Sequence, residues 1–300
     1  IGMKDNAIYL SEVREVMKAR GAQLREAFAG KSVIIIVPQP RFDATRKLNK
    51  TEITLLFRQY QAALVSSQQK WRTLDAIGLN VRTIHRHPET KQIQFAVTLT
   101  QAVEAKDTVG VIVQRPLPEA WTKELHRIPP SVDIDPSHRT PDFSGPVTAE
   151  AITRLVLSFV AAADTISVVG GAGFIGSGVV RSLIENQLDV CIVEKGDDLT
   201  QIRNTNIVVA CTGVPDLLNE KHLSPNHKLV VSASFIPQEN TRPKTDVDLR
   251  ASLIPQAITP VPGGIGPLEM ATLIERVAHT SKVNIKKWDY KRDSLPFGPR

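Results

Sequence analysis

Gly171, Gly173 and Gly176 stand at the intervals of a turn through which a peptide backbone can approach a pyrophosphate. They follow an apolar run, Ile166 to Gly170, and open a segment whose spacing at Val179, Val180, Leu183 and Ile184 is helical. Strand, glycine turn and helix in that order set unpaired amides and the positive end of a helix dipole against an anion. Phe174 and Ile175, inside the turn, become neighbours of a bound dinucleotide. Glu194 ends the next apolar run, 18 residues beyond Gly176, where a carboxylate can accept from both adenosine ribose hydroxyls and would repel a 2′-phosphate. These residues predict a nicotinamide dinucleotide site that prefers NAD to NADP, with Lys195 next door as the contrary signal. The bland alternative is a glycine turn that binds nothing.

Three further segments have compositions that packing explains poorly. Gln114 follows directly on the apolar run Val111 to Val113 and is confined by Pro116 and Pro118. Thr259 to Pro267 is a rigid proline and glycine loop leading into a helix over Leu268 to Ala278. Thr212 and Gly213 follow another strand-like run and form an open turn suited to the nicotinamide side of the cofactor. Each could be only a tight connection.

The elements that must position these residues alternate. Apolar spacing predicts a helix over Leu10 to Phe28, a buried strand over Val33 to Val37, and a long helix over about Lys50 to Ile77 closed by Gly78. Ile53, Leu56, Phe57, Tyr60 and Leu64 form that helix's stripe, and Ser66 with Ser67 mark a candidate break. Strands at Val81 to His85 and Val109 to Val113 flank a polar helix. Five prolines between Pro129 and Pro146 suggest a domain boundary. After a helix at about Thr148 to Ala162, short apolar runs at Ile166 to Gly170, Val190 to Glu194, Ile207 to Thr212, Leu229 to Ala233 and Ile258 to Val261 repeat a doubly wound pattern. The expected fold is α/β: two α/β domains with a cleft between them, the second a Rossmann-type doubly wound parallel sheet. The expected division is residues 1–145 plus 268–300 for substrate and 146–267 for the dinucleotide.

Composition narrows the function classes. At 300 residues and 42% hydrophobic side chains the chain can bury a large core. No apolar run approaches the roughly 18 residues a membrane span needs, so a soluble, cytoplasmic protein without membrane contact is expected. The 37 basic residues against 31 acidic ones form no long stripe, and aromatics at 5% supply few stacking surfaces, so nucleic acid is not an expected partner. Cys191 and Cys211 both lie in apolar runs, as small buried hydrophobes do; neither a disulfide framework nor a metal site is expected.

Taken in order, the N-terminal helix, the strand at Val33, the helix ending near Gly78, Val113-Gln114-Arg115-Pro116-Leu117-Pro118, the nucleotide fold and Thr259 to Pro267 resemble the bifunctional methylenetetrahydrofolate dehydrogenase/methenyltetrahydrofolate cyclohydrolase family. The likeness runs nearly the whole chain. It implies oxidation of 5,10-methylenetetrahydrofolate with NAD(P), hydrolysis of the methenyl product to 10-formyltetrahydrofolate, a tetrahydrofolate one-carbon derivative as partner, and a homodimer. Carried onto this chain, it makes Lys70 the central catalytic group, with Gln114 and Asp133 beside it. It also implies substrate contacts from Ser66, Pro262, Gly263, Gly264 and Glu269. A lysine desolvated beside Gln114 would have a lowered pKa and exchange protons near neutrality, the amide holding its amine through the carbonyl. Asp133 would orient the pterin, with Asp135 as a nearby competitor.

The chain departs from the family pattern at defined places. Ser66 and Ser67 replace a stacking tyrosine and the valine after it, leaving Tyr60 or Trp71 as substitutes. The segment between Val37 and Ser66 is longer than usual, so Lys47 and Lys50 compete with Lys70. Gly171 and Ala172 replace an arginine and a serine, which agrees with Glu194 in favouring NAD. Glu269 stands where the family has a threonine. The rival expectations are a nicotinamide dehydrogenase of another small metabolite and a dinucleotide-binding protein without turnover.

Overall fold

The computed structural model describes residues 6–40, 50–238 and 241–289, and side chains in all of these except 50–59. Its element order is α1 (Ser11–Ala22), α2 (Arg25–Phe28), β1 (Ser32–Pro38), α3 (Lys50–Ala76), β2 (Asn80–Arg86), α4 (Gln92–Glu104), β3 (Thr108–Val113) and α5 (Glu119–Thr122). There follow α6 (Val147–Phe159), β4 (Thr165–Val169), α7 (Phe174–Glu185), β5 (Asp189–Val193), β6 (Ile207–Ala210), β7 (Leu229–Ser232) and α8 (Ile265–Thr280).

The strands form two all-parallel sheets, one ordered β2-β1-β3 and the other β5-β4-β6-β7. Each reverses direction of progress beside its first strand, and such a switch point opens a crevice at the carboxyl ends of the strands. The two-sheet α/β architecture agrees with the expected fold class. β1 is buried along its whole length, as a Val and Ile run covered on both faces must be. Full burial of each such side chain contributes about 1.5–3 kcal/mol.

α8 packs on α1, α3, α6 and β3, so the helix that follows the proline and glycine loop is tied to the first sheet. Its Arg276, 2% exposed, donates to Glu150 Oε2 at 2.6 and 3.0 Å and to the carbonyls of Ile134 and Gly145. That guanidinium therefore anchors the segment leading into α6.

Three local expectations are corrected. The first helix is two, because the chain turns at Gln23 and Leu24, whose amides bond Ala19 and Gly21. α3 runs without a break: Ser67 donates its hydroxyl to Leu64 O inside the helix, which satisfies the group without opening the ladder. The run Ile258 to Val261 is not a strand. Ile258 makes single bridges to Ala7 and Val230, and Pro260 and Pro262 lack the N–H groups needed to extend them. The stripe residues Ile53, Leu56 and Phe57, the competitors Lys47 and Lys50, and residues 290–300 of the tail lie outside the described side chains.

Candidate active site

The carboxyl ends of β3 and β7 face a cleft of about 620 Å³ that is also lined by α3, by the turn opening α7 and by the loop entering α8. Lys70, Gln114, Ser66, Phe174, Ile175, Pro262, Gly263, Gly264 and Glu269 are all on its wall. Residues as far apart in sequence as Ser66 and Glu269 are thus brought to one surface by two sheets and the helix α8.

Lys70, only 2% exposed, donates from Nζ to Asp135 Oδ2 at 2.7 Å and lies 3.4 Å from Glu269 Oε1. Asp135 Oδ1 accepts from the Val147 amide at 2.9 Å, so this carboxylate also sits at the amino end of α6. Burial disfavours the Lys70 charge, but Asp135 and Glu269 more than offset it and push the amine above the ordinary lysine value. This corrects the expected lowered value: desolvation acts in the expected sense, but the two carboxylates act against it and win. Burial also opposes ionisation of Asp135, yet the Lys70 charge and hydrogen bond hold it below the usual carboxylate range. Glu269 is shifted the other way, chiefly by burial, with Asp135 adding to the rise and Lys70 resisting it.

Gln114 is 9% exposed and its Oε1 is buried with no hydrogen-bond partner. The expected bond from the Lys70 amine to that oxygen is replaced by the bond to Asp135. An orphaned buried acceptor on a cleft wall is a position where a ligand's N–H would be held. Asp133 is not on the cleft wall, whereas its competitor Asp135 is. Asp133 lies beside β3, bridged to Val111, with its carboxyl raised to about 7 by burial and by the Asp135 charge.

Neither Tyr60 nor Trp71 lines the cleft: Tyr60 is buried and Trp71 donates its indole N–H to Val81 O. The aromatic faces there belong to Tyr9, Phe174 and Phe235. Tyr9, next to Gly263, went unnoticed in the sequence because a single tyrosine ahead of a helix carries no periodic signal. Arg115 was also missed, although it sits inside the Gln-x-Pro motif. Its guanidinium carbon lies 4.0 Å from the Phe174 ring centroid and it donates to Ser137, bridging the β3 loop and the glycine turn.

The turn fits a dinucleotide on its own geometry. A Cβ at Gly176 would fall 2.1 Å from Gly170 O, and one at Gly171 2.7 Å from Ile192 Cγ2, so side chains are excluded where strand and helix cross. Gly173 caps α7 without any side-chain hydrogen bond, which leaves the first amides of that helix for an anion. Glu194 sits at the end of β5, as expected, and accepts from the Ala172 amide. Thr212 and Gly213 are fixed by the wholly buried Asp246: its Oδ1 accepts from Thr212 N at 2.9 Å, Thr212 Oγ1 at 2.7 Å and Gly213 N at 3.0 Å. Cys191 and Cys211 are free thiols, and burial together with Asp246 pushes Cys211 far above its ordinary value, which makes it unreactive.

Residues 146–285 match the family model described as tetrahydrofolate dehydrogenase/cyclohydrolase, NAD(P)-binding domain. The "Bifunctional protein FolD 1" of Pseudomonas putida is 27% identical over 246 residues, 75% of this chain and 84% of that protein. The "Bifunctional protein FolD" of Lactobacillus acidophilus is 28% identical over 248 residues, covering 74% and 83%. Among solved structures, the FolD methylenetetrahydrofolate dehydrogenase/cyclohydrolase of Campylobacter jejuni superposes with a TM-score of 0.72 at 20% identity, over 91% of this chain and 95% of that one. The Trypanosoma brucei enzyme, solved with NADP and an inhibitor, gives 0.72 at 21% identity over 93% and 98%. Among the described residues no helix is long and apolar enough to cross a membrane.

Proposed function

We propose, for a chain that belongs to the tetrahydrofolate dehydrogenase/cyclohydrolase family, that it oxidises 5,10-methylenetetrahydrofolate to 5,10-methenyltetrahydrofolate with a nicotinamide dinucleotide. The observation that carries this reading is that Lys70 and Gln114 share one cleft wall with Phe174 and Ile175 of the glycine turn. Hydride transfer needs a donor carbon aligned with an acceptor ring, and a cleft between a substrate wall and a nucleotide turn supplies that alignment by proximity.

The dinucleotide, when bound, supplies the hydride acceptor. Gly171, Gly173, Gly176 and the first amides of α7 would hold its pyrophosphate, Glu194 its adenosine ribose, and Thr212 with Gly213 the turn beside the nicotinamide. Glu194 and the absence of an arginine at 171 favour NAD over NADP. On the substrate side, Gln114 Oε1 accepts from a pterin N–H, and Asp135 and Lys70 hold the ring system, with Asp135 taking the place first given to Asp133. Tyr9, on the same cleft wall as Ser66, is the aromatic face that would replace the missing stacking ring. Pro262, Gly263 and Gly264 form a wall without long side chains, against which a flat ring can lie.

The same reading divides the chain into residues 1–145 plus 268–300 for substrate and 146–267 for the cofactor, and takes the protein as a cytoplasmic homodimer. Light scattering on purified protein tests the dimer. For the activity, the test is the appearance of reduced nicotinamide absorbance with NAD and methylenetetrahydrofolate, for wild type and Lys70→Met. We expect turnover by the wild type and its loss in the variant. A wild type that binds NAD by calorimetry yet turns over no folate would leave only a dinucleotide-binding protein.

A further inference from the structure

Glu269 places a second carboxylate on the buried amine of Lys70. Lys70 Nζ lies 2.7 Å from Asp135 and 3.4 Å from Glu269, and the three side chains are 3%, 12% and 13% exposed. With all three ionised the cluster would carry an uncompensated negative charge in a site where water screens little. It is neutral when the amine keeps its proton and one carboxyl keeps one as well. Asp135 is the carboxylate that stays ionised, because it accepts both the closer Lys70 bond and the Val147 amide. The remaining proton therefore belongs to Glu269.

The other charged groups around the cluster fit this assignment. Arg115 at the end of β3 and Arg276 on α8 act on the Asp133 and Asp135 side. Arg14 of α1, also on the cleft wall, pairs with Glu15 at 2.7 Å. From α6, Thr148 bonds the Glu269 side chain, which favours the carboxylate but is outweighed by burial and the Asp135 charge.

We propose that Glu269, and not Lys70, is the group of this cleft that gains and loses a proton, Lys70 being held as a permanent ammonium between Asp135 and Glu269. The chemistry this favours follows from charge. In the oxidation proposed above, on which this inference rests, a C–H bond of the methylene unit breaks with both electrons leaving on the hydrogen. The folate unit gains one positive charge, the oxidised nicotinamide becomes reduced, and no proton is released. The ammonium being already balanced by Asp135, an ionised Glu269 on the cleft wall offsets that growing charge. Hydrolysis of the methenyl product is a different demand. It needs a group that removes a proton from water: a lysine locked as ammonium cannot do so, and the Glu269 carboxylate is already engaged by Lys70 and Thr148. Glu269 thus biases the site toward oxidation and away from hydrolysis.

Two measurements test this, one of which needs no turnover. Carboxyl-labelled glutamate carbon NMR on the ligand-free protein, with the resonance assigned by its absence in Glu269→Gln, reads the proton on Glu269 itself. We expect one glutamate to titrate clearly above the others and to vanish in the variant; titration of Glu269 together with the surface glutamates overturns the proposal. Because that experiment uses no folate, a failed dehydrogenase reading leaves its outcome standing. The second measurement is the pH profile of methylenetetrahydrofolate oxidation. Wild type should rise with pH along a limb that matches the NMR titration, and Glu269→Gln should lose the limb and about tenfold in kcat at its alkaline end. Glu269→Thr, whose fold is checked by circular dichroism, should raise methenyl hydrolysis relative to oxidation. A limb that persists in Glu269→Gln, or hydrolysis unchanged in folded Glu269→Thr, counts against it.

Discussion

Ala172 donates its backbone N–H to Glu194 Oε1 at 2.6 Å, which ties the middle of the glycine turn to the end of β5. One carboxylate oxygen is thereby committed to holding the turn, and the other is the one that, in the proposed function, would accept from an adenosine ribose hydroxyl and repel a 2′-phosphate. Glu194→Ser removes the charge and the turn bond together. Hydrogen bonds to charged groups contribute about 1.5–3 kcal/mol, so NAD affinity should fall at least ~10-fold while NADP affinity rises or holds. Calorimetric titration of both dinucleotides reads the ratio directly; an unchanged ratio would remove Glu194 from the ribose contact.

Gly176→Ala should abolish dinucleotide binding. The added methyl would lie 2.1 Å from Gly170 O and 2.9 Å from Gly171 Cα, both backbone atoms that cannot rotate away. Gly213 is the control, because a Cβ there meets nothing within 4 Å, although its φ of +71° disfavours a side chain. Gly213→Ala is therefore expected to cost about 1 kcal/mol of stability and to leave binding measurable. Thermal unfolding with and without NAD separates the two: Gly176→Ala should show no cofactor-induced rise in Tm.

The strand and helix order was legible because apolar periodicity is a local signal, and seven strands fall on seven of the runs read from sequence. The glycine turn was legible for a similar reason, its steric demand being written in residue type at fixed intervals. What remained hidden was pairing across the fold. Nothing local to Lys70 reveals that Asp135 and Glu269, 65 and 199 positions away, converge on its amine, so the direction of its pKa shift was inverted. Asp133 and Asp135 stand two positions apart, and only the irregular path of their segment beside β3 decides that Asp135 lines the cleft while Asp133 does not. Asp246 was missed altogether, since a lone aspartate in a polar loop looks like a turn residue.

Asp246 holds the turn after β6 with five hydrogen bonds, three from Thr212 and Gly213 and two from the backbone and hydroxyl of Ser234. Replacing it by alanine leaves the Thr212 amide without its acceptor and Gly213 with Ser234 Oγ alone, a hydroxyl that itself loses its bond to Asp246. Asp246→Ala should lower the unfolding free energy by about 3 kcal/mol, the sum of one lost charged acceptor and the exposed donors. Urea denaturation checks the figure. With that turn beside the nicotinamide, as proposed, KM for NAD should rise more than kcat falls; a variant with wild-type stability would show that the hub is dispensable.

Asp133 should make the protein less stable as pH rises toward neutrality. Burial first, and then the charge of Asp135, lift its carboxyl from 3.8 to about 7 in the folded chain. Between those values the native state holds a proton that the unfolded chain has released, so stability is full below about pH 4 and declines as pH climbs through 7. Asp135 acts in the opposite sense, and only at the acid end, because its folded value is depressed. At roughly 1.4 kcal/mol per unit, discounted for partial solvent access, the Asp133 contribution comes to about 3 kcal/mol. Asp133→Asn keeps the shape and cannot ionise, so its urea midpoint should be flat across that window while the wild-type midpoint falls. Parallel curves for the two proteins would mean that the carboxyl titrates in water.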